Sequence, residues 1–123
     1  MTATLEHEEL TNAATGWQRV CTVADLEPAW GEAALVEGRQ VALFRMVSGG
    51  SEDVYAVDQR CPATGAHVMA RGILGSRGER PTIASPLHKE VYDLRTGECF
   101  SSPELRLATY PTRIVDGFIE IAV

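Results

Sequence analysis

The sequence predicts a single all-β domain of short antiparallel strands, arranged as a sandwich or barrel. Short runs of apolar and β-branched residues recur at intervals of about ten residues between turn signals, which is typical of such folds. Three glycine-containing turns, Glu37-Gly38, Arg95-Thr96-Gly97 and Asp116-Gly117, supply the positive φ angles that tight hairpins need. A chain of 123 residues with 45% hydrophobic content can bury one core of ordinary size.

Nine segments have the composition of strands. They cover residues 17–20, 33–36, 40–45, 54–58, 82–84, 91–93, 107–110, 113–115 and 118–123. The last is apolar at most positions, so we expect both of its faces to be partly covered. Residues 25–28 predict the start of a short helical turn, which Pro28 and Gly31 prevent from extending.

Residues 1–15 mix Thr, Ala, Glu and Asn without a period, which predicts a flexible leader before a β domain at residues 16–123. The leader is acidic and lacks the apolar stretch of a secretory signal. No apolar run approaches the roughly 20 residues that cross a bilayer. We therefore expect a cytoplasmic protein that does not enter a membrane. The three cysteines, Cys21, Cys61 and Cys99, form an odd and widely spaced set, which favours free thiols there.

The charge is unevenly distributed along the chain. The net charge of −6 argues against nonspecific nucleic-acid binding, which needs a basic surface to displace counterions from phosphates. Residues 1–60 carry 4 basic and 10 acidic side chains, whereas residues 61–95 carry 5 and 3. The middle segment is the only basic part of the chain.

Residues 61–81 predict one long loop. Four glycines and scattered arginines interrupt any period of 2 or 3.6 residues there. Loops of this length in a compact domain usually carry function or are disordered, and the strands predicted on either side favour function. The functional site is therefore expected in this segment.

Two short motifs flank the predicted loop, Cys61-Pro62-Ala63 and Ser85-Pro86-Leu87-His88. They resemble the two metal-binding loops of the Rieske family, which place Cys-x-His on one loop and Cys-x-x-His on the other, often with Pro after each Cys. In a Rieske cluster two thiolates hold one iron and two imidazoles hold the other. The resemblance implies three layered or barrel-like antiparallel sheets of about nine or ten short strands, with the two loops adjacent in space.

The ligand set of this sequence is incomplete. Cys61 and His88 match family ligands, but Ala63 stands where a His belongs and Ser85 where a Cys belongs. Alanine has no lone pair, and a serine hydroxyl is a harder and less acidic donor than a thiol. Lys89 also replaces the glycine that commonly follows the last His. We therefore expect vestigial cluster positions and no bound metal.

A different metal site built from Cys61, His67, His88 and Cys99 is disfavoured, because its spacings do not match the closely paired ligands of a zinc knuckle. His67 is expected to be a loop or surface histidine. Cys21 and Cys99 are expected to pack as small buried hydrophobes. The loop position of Cys61 leaves a reactive thiol open as a role.

A narrower resemblance is carried by Trp17 and by residues 41–45, 55–58, 70–75, 84–89 and 110–113. Through these segments almost the whole chain is similar to the small subunit of assimilatory NAD(P)H-dependent nitrite reductase. The resemblance implies an accessory chain that is not catalytic alone and a large subunit that carries FAD, an iron–sulfur cluster and siroheme. Reduction of nitrite to ammonium needs such cofactors to pass electrons, and none of their binding motifs occurs in this sequence.

The leading hypothesis is that the chain docks on this large subunit through the basic face of its loops. The candidate docking residues are Arg71, Arg77, Arg80, His88 and Lys89. Each of the four basic side chains other than His88, taken alone, is equally well explained as a solvated loop charge. Two alternatives stay open: a Rieske-type ferredoxin that carries electrons, and a stand-alone module that binds a protein or a small ligand through the same loops.

Overall fold

The computed structural model describes residues 16–48, 50–87 and 90–123. The predicted leader and two predicted site residues, His88 and Lys89, lie outside the described residues. Within them the strands are β1 Trp17–Thr22, β2 Gly31–Val36, β3 Arg39–Ser48, β4 Ser51–Asp58, β5 Ile73–Arg77, β6 Arg80–Ala84, β7 Val91–Asp93, β8 Thr109–Tyr110, β9 Thr112–Val115 and β10 Phe118–Ala122. Two short 3₁₀ helices cover Val23–Asp25 and Met69–Arg71. Nothing in the described part forms a helix long and apolar enough to cross a membrane.

The strands form three antiparallel sheets, ordered β1-β10-β9, β2-β3-β4-β8 and β5-β6-β7. The four-stranded sheet lies between two apolar cores. On β3, Val41 and Leu43 pack into the core shared with β1 and β10, whereas Ala42 and Phe44 pack into the core shared with β6 and β7. Successive strand residues point to opposite faces, so residues 41–44, which are covered on both sides, are all apolar. The predicted all-β fold of three sheets is confirmed.

Strand β10 fulfils the expectation that both of its faces are covered. Ile119, Glu120 and Ile121 are all buried. The buried Glu120 carboxylate accepts hydrogen bonds from Arg19 on β1 and Arg113 on β9 at 3.1 and 2.7 Å. The Glu120 carboxylate is thus paired with guanidinium groups from both neighbouring strands, and these supply the hydrogen bonds that a buried charge needs.

Two sequence predictions were wrong in their details. The predicted loop at 61–81 contains strand β5, which pairs with β6 through a turn at Gly78 (φ +63°). Most of β5 is exposed, so it lacks the alternation that marks a half-buried strand. The helical turn expected at 25–28 lies at Val23–Asp25 instead, because the Asp25 carboxylate accepts a hydrogen bond from the Thr22 amide at 3.0 Å and closes the turn there.

The predicted glycine turns are present. Glu37-Gly38 joins β2 to β3 and Asp116-Gly117 joins β9 to β10, each with positive φ at both residues. The third turn reverses the chain after β7. Gly97 has φ +83°, donates its N–H to Asp93 O at 2.8 Å and accepts the Leu107 N–H at 2.9 Å.

We expect Gly97→Ala to destabilise the fold far more than Gly117→Ala. Both glycines have φ close to +80°, but a Cβ at Gly97 would lie 1.9 Å from Leu107 O, whereas a Cβ at Gly117 meets nothing within 4 Å. The left-handed conformation alone should cost Gly117→Ala about 1 kcal/mol. The clash should raise the cost of Gly97→Ala to about 3 kcal/mol. Urea unfolding of both variants measures the difference, and equal midpoints would contradict the close approach at Gly97.

Candidate functional site

The first vestigial loop follows β4 and is closed by its own backbone. The Cys61 amide donates to Ala66 O at 2.8 Å, and Cys61 O accepts the amides of Thr64 and Gly65 at 3.3 and 2.7 Å. Gly65 has φ +81°, which permits this tight reversal. These backbone hydrogen bonds fix the position of Cys61 within the loop.

The second vestigial loop follows β6 and brings Ser85 against Cys61. The two side chains are almost fully buried, and Cys61 Sγ lies 3.3 Å from Ser85 Oγ. Ser85 Oγ accepts the Leu87 amide at 3.4 Å, which leaves the hydroxyl hydrogen free to point at the sulfur. The predicted adjacency of the two loops is confirmed by this pair. His88, the last vestigial position, lies outside the described residues.

Hydrogen bonds favour the thiolate form of Cys61. Burial opposes ionisation and raises the pKa, but the hydroxyls of Ser85 and Thr64 and the amides of Thr64 and Ala63 outweigh it, so the pKa of Cys61 lies below its ordinary value. By contrast, burial raises the pKa of Cys21 to about 11, with Asp25 and Glu32 adding to the effect.

Tyr92 lies under the loop pair, in the same apolar core as Cys61 and Cys99. Its ring is fully buried. Burial, with the neighbouring charges of Cys61, Cys99 and Glu90, raises the pKa of Tyr92 well above its ordinary range. The tyrosine therefore stays neutral and contributes packing beneath the loops.

The residues present do not fit a Rieske cluster. Ala63 offers no donor atom and is exposed, and Ser85 Oγ is already engaged by Cys61 and the Leu87 amide. Cys99 is buried, as predicted, and pairs with Ser101 Oγ at 3.6 Å. Over residues 16–48, 50–87 and 90–123, no three His, Cys, Asp or Glu side chains gather as a metal site.

Two of the predicted docking arginines make contacts within the chain. The Arg80 guanidinium pairs with Asp93 and Glu98, each at 2.6 Å, and it also lies over the Phe100 ring. Arg77 lies over the same ring, 4.7 Å from its centroid. Arg80 therefore has a structural role on the third sheet in addition to any role at the surface.

Asp93 is a structural residue that the sequence analysis missed. Its buried carboxylate accepts the amides of Arg95 and Thr96 at 2.7 and 3.2 Å, besides Arg80. Burial raises its pKa, but these donors outweigh burial, so the pKa of Asp93 is lowered. The signal in the sequence was an Asp three residues before Thr96-Gly97, the pattern of an Asx turn.

Arg71 belongs to the 3₁₀ helix Met69–Arg71, and His67 lies two residues before that helix. Both side chains are exposed. The backbone of His67 pairs with Arg60 in an isolated antiparallel bridge, and His67 is a surface residue as predicted. Arg71 and His67 line a groove between the starts of β2 and β5, together with Trp30 and Ile73.

Comparison with known proteins places this fold among Rieske-like domains. A family model described as a Rieske-like [2Fe-2S] domain matches residues 16–122. The nitrite reductase (NADH) small subunit of Salmonella typhimurium is 32% identical over 85% of this chain and 95% of its own length. A solved structure from Mycobacterium tuberculosis, described as an NADH-dependent nitrite reductase small subunit, has a TM-score of 0.80 and 38% identity over 87% of this chain and 94% of that one.

A third relative is a much longer chain. A nitrite reductase [NAD(P)H] large subunit of Klebsiella oxytoca is 34% identical over 82% of this chain, which corresponds to 10% of its own length. That longer chain thus contains a segment similar to most of the present one.

We expect Ser85→Ala to raise the pKa of Cys61, because it removes the hydroxyl that donates to the sulfur. The ¹³Cβ shift of Cys61 followed against pH measures this pKa. Ser101→Ala is the matched control, since Ser101 faces Cys99 and should leave the Cys61 titration unchanged.

The same pKa shift predicts a pH dependence of stability. Because the pKa of Cys61 is lower in the folded than in the unfolded state, the folded protein binds fewer protons between the two values. The free energy of unfolding should therefore rise with pH through that interval, and the gain should be lost as pH falls through the folded pKa. Ser85→Ala should flatten the rise. An unchanged titration in Ser85→Ala would contradict the assigned hydrogen bond.

Proposed function

Because this chain belongs to the Rieske-like [2Fe-2S] domain family and, within it, to the nitrite reductase (NADH) small subunits, we propose that it is a noncatalytic subunit supporting nitrite reduction on a large partner chain. The observation that carries the proposal is a similarity to small subunits along most of the chain, combined with Ala63 and Ser85 at the ligand positions. The large subunit then supplies FAD, iron–sulfur cluster and siroheme, the groups that reduction of nitrite to ammonium requires.

The relative from Klebsiella oxytoca supports a partnership with the large subunit. In that protein a segment similar to this chain occupies 10% of a large-subunit chain, so it belongs to the same molecule as the rest of that subunit. We infer that the present chain makes the same association between separate subunits. The complex should function in the cytoplasm, where the NADH named in its relatives is available.

Loss of the cluster separates this chain from electron-carrying ferredoxins. A carrier needs two donors for each iron, and each iron would lose one of its protein ligands to Ala63 or Ser85. Instead, the side chains of Cys61 and Ser85 form a hydrogen bond with each other between the two loops. We propose that the loop pair acts as a recognition surface and that no electron passes through it.

We expect the isolated chain to stay colourless after anaerobic reconstitution with iron and sulfide. The double variant Ala63→His/Ser85→Cys restores the Rieske donor set and should bind about two irons per chain with a Rieske-like visible spectrum. Iron and sulfide assays of both proteins measure the difference. About two irons on the unaltered chain would overturn the proposed loss of the cluster and favour the ferredoxin alternative.

We also propose that the basic segment 61–95 docks on the large subunit, through Arg71, Arg77, Arg80, His88 and Lys89. Its balance of 5 basic and 3 acidic side chains, in a chain of net charge −6, favours an acidic surface on the partner. Arg80 is unsuited to a simple test, because its removal would leave the buried Asp93 carboxylate without its guanidinium partner.

The double variant Arg77→Ser/Lys89→Ser should weaken association with the purified large subunit several-fold at low salt, and less at high salt, where screening already reduces the attraction. Titration at two ionic strengths measures this. Arg39→Ser/Arg106→Ser is the control, since it removes the same charge from exposed positions outside the segment. Equal affinity of the two double variants would locate docking elsewhere, and nitrite turnover by the small chain alone would overturn the subunit proposal.

A further inference from the structure

A groove opens at the surface of the domain, beside the 3₁₀ helix Met69–Arg71. It has a volume of about 870 Å³ and lies between the start of β2 and the start of β5. The 3₁₀ helix Met69–Arg71 contributes Ala70 and Arg71 to its lining. The groove thus lies where the four-stranded sheet meets the third sheet.

Large apolar side chains stand at the groove without being covered. Trp30 is 65% exposed and Ile73 is 72% exposed, and both line the groove. Neither belongs to the two cores of the domain. Paired exposure of a tryptophan and an isoleucine around one depression is typical of a protein-binding surface, whereas single exposed residues are common everywhere.

The groove is preformed by close backbone contacts. A Cβ at Gly31 would lie 2.1 Å from Ala70 O, and a Cβ at Gly72 would lie 2.4 Å from Ala84 O. The buried side chain of Gln59 accepts the Ala70 amide at 2.7 Å and holds the 3₁₀ helix in place. A groove whose walls are fixed in this way loses little entropy when it binds a partner.

Both walls of the groove are edge strands. In the described part of the chain β2 pairs only with β3, and β5 pairs only with β6. Their outer edges therefore offer backbone N–H and C=O groups to an added segment, and an extended peptide is the conformation that can use them.

The charges at the groove define one side of the segment that fits it. Arg71 is exposed and makes no ion pair within the described residues, in contrast to Arg80. Glu32 lines the groove from β2 and would repel a carboxylate there. A complementary segment therefore carries its acidic side chain toward Arg71 and β5, and an apolar side chain toward Trp30.

We propose that this groove receives an extended segment of the large subunit, which places an apolar side chain between Trp30 and Ile73 and a carboxylate against Arg71. The proposal rests on the proposed function, since it names the partner of the same complex. It extends the docking of segment 61–95, which already includes Arg71, by an apolar contact at Trp30 and Ile73.

Binding of full-length variants to the purified large subunit tests the apolar contact. Ile73→Ser and Trp30→Ala should each raise the dissociation constant at least tenfold, and this loss should persist at high salt. Ile114→Ser is the matched control, because Ile114 is also an exposed isoleucine on an edge strand, 44% exposed on β9. It should change the constant less than twofold. Thermal unfolding of each variant checks that the fold is retained.

The charged contact has its own test. Arg71→Ser should weaken binding at low salt, and Arg71→Lys should restore part of the loss, whereas Arg39→Ser should have no effect. Equal losses for Arg71→Ser and Arg39→Ser would overturn the assigned carboxylate contact.

A site-specific signal then separates failure of this inference from failure of the proposed function. In the chain labelled with 5-fluorotryptophan, the ¹⁹F resonance of Trp30 should shift or broaden when unlabelled large subunit is added, while that of Trp17 should not. If the chain binds the large subunit but the ¹⁹F resonance of Trp30 does not change and Ile73→Ser binds as tightly as the unaltered chain, the groove is not the binding site. The subunit proposal would then still stand. Absence of any binding would overturn both. Self-association of the chain that Ile73→Ser abolishes would assign the groove to a second copy and overturn its proposed occupant.

Discussion

The hydrogen bond between the Cys61 thiol and the Ser85 hydroxyl is the one direct side-chain tie between the two loops among the described residues. A metal cluster would hold such loops with several coordinate bonds, whereas one buried hydrogen bond contributes only about 1 kcal/mol. The loops must therefore be shaped before they meet. The amide of Cys61 reaches Ala66 O at 2.8 Å, and that of Ser85 reaches Glu90 O at 2.9 Å, so each loop is closed by its own backbone.

The sheets on which the two loops pack also hold the loops in position. Because β3 is covered on both faces, the four-stranded sheet joins one core containing Ile119 to another containing Tyr92, and the loops rest on the second core. Asp93 fixes the turn after β7 through two backbone amides and holds Arg80 across the third sheet. A neutral tyrosine and a paired aspartate thus support a loop pair that contains a thiol with a lowered pKa.

Much of this architecture could be predicted, because strands buried on one or both faces leave periodic or continuous apolar runs, and turns with positive φ require residues such as Gly38 and Gly117. Strand β5 could not, since an exposed edge strand is defined by its partner β6 rather than by its own composition. The adjacency of the two loops was implied by the resemblance to the Rieske family, but the hydrogen bond between Cys61 and Ser85 was not predicted. The groove was not predicted either, because Trp30 and Ile73 lie far apart in the sequence and come together through tertiary contacts such as the packing of Gly31 against Ala70.

The two proposed contacts would contribute to association in different ways. Exposed charges such as Arg77 act at long range and are screened by salt, so they chiefly raise the rate of encounter and orient the partner. Desolvated apolar contacts act only at short range and chiefly slow dissociation, which is why tryptophan is frequent among residues that dominate binding energies. Arg80 on the loop surface is already paired within the chain, so this surface is better suited to orienting the large subunit than to binding it tightly. The exposed side chains of Trp30 and Ile73 supply the apolar contact. Their removal from water on binding would contribute favourable free energy and slow dissociation of the complex.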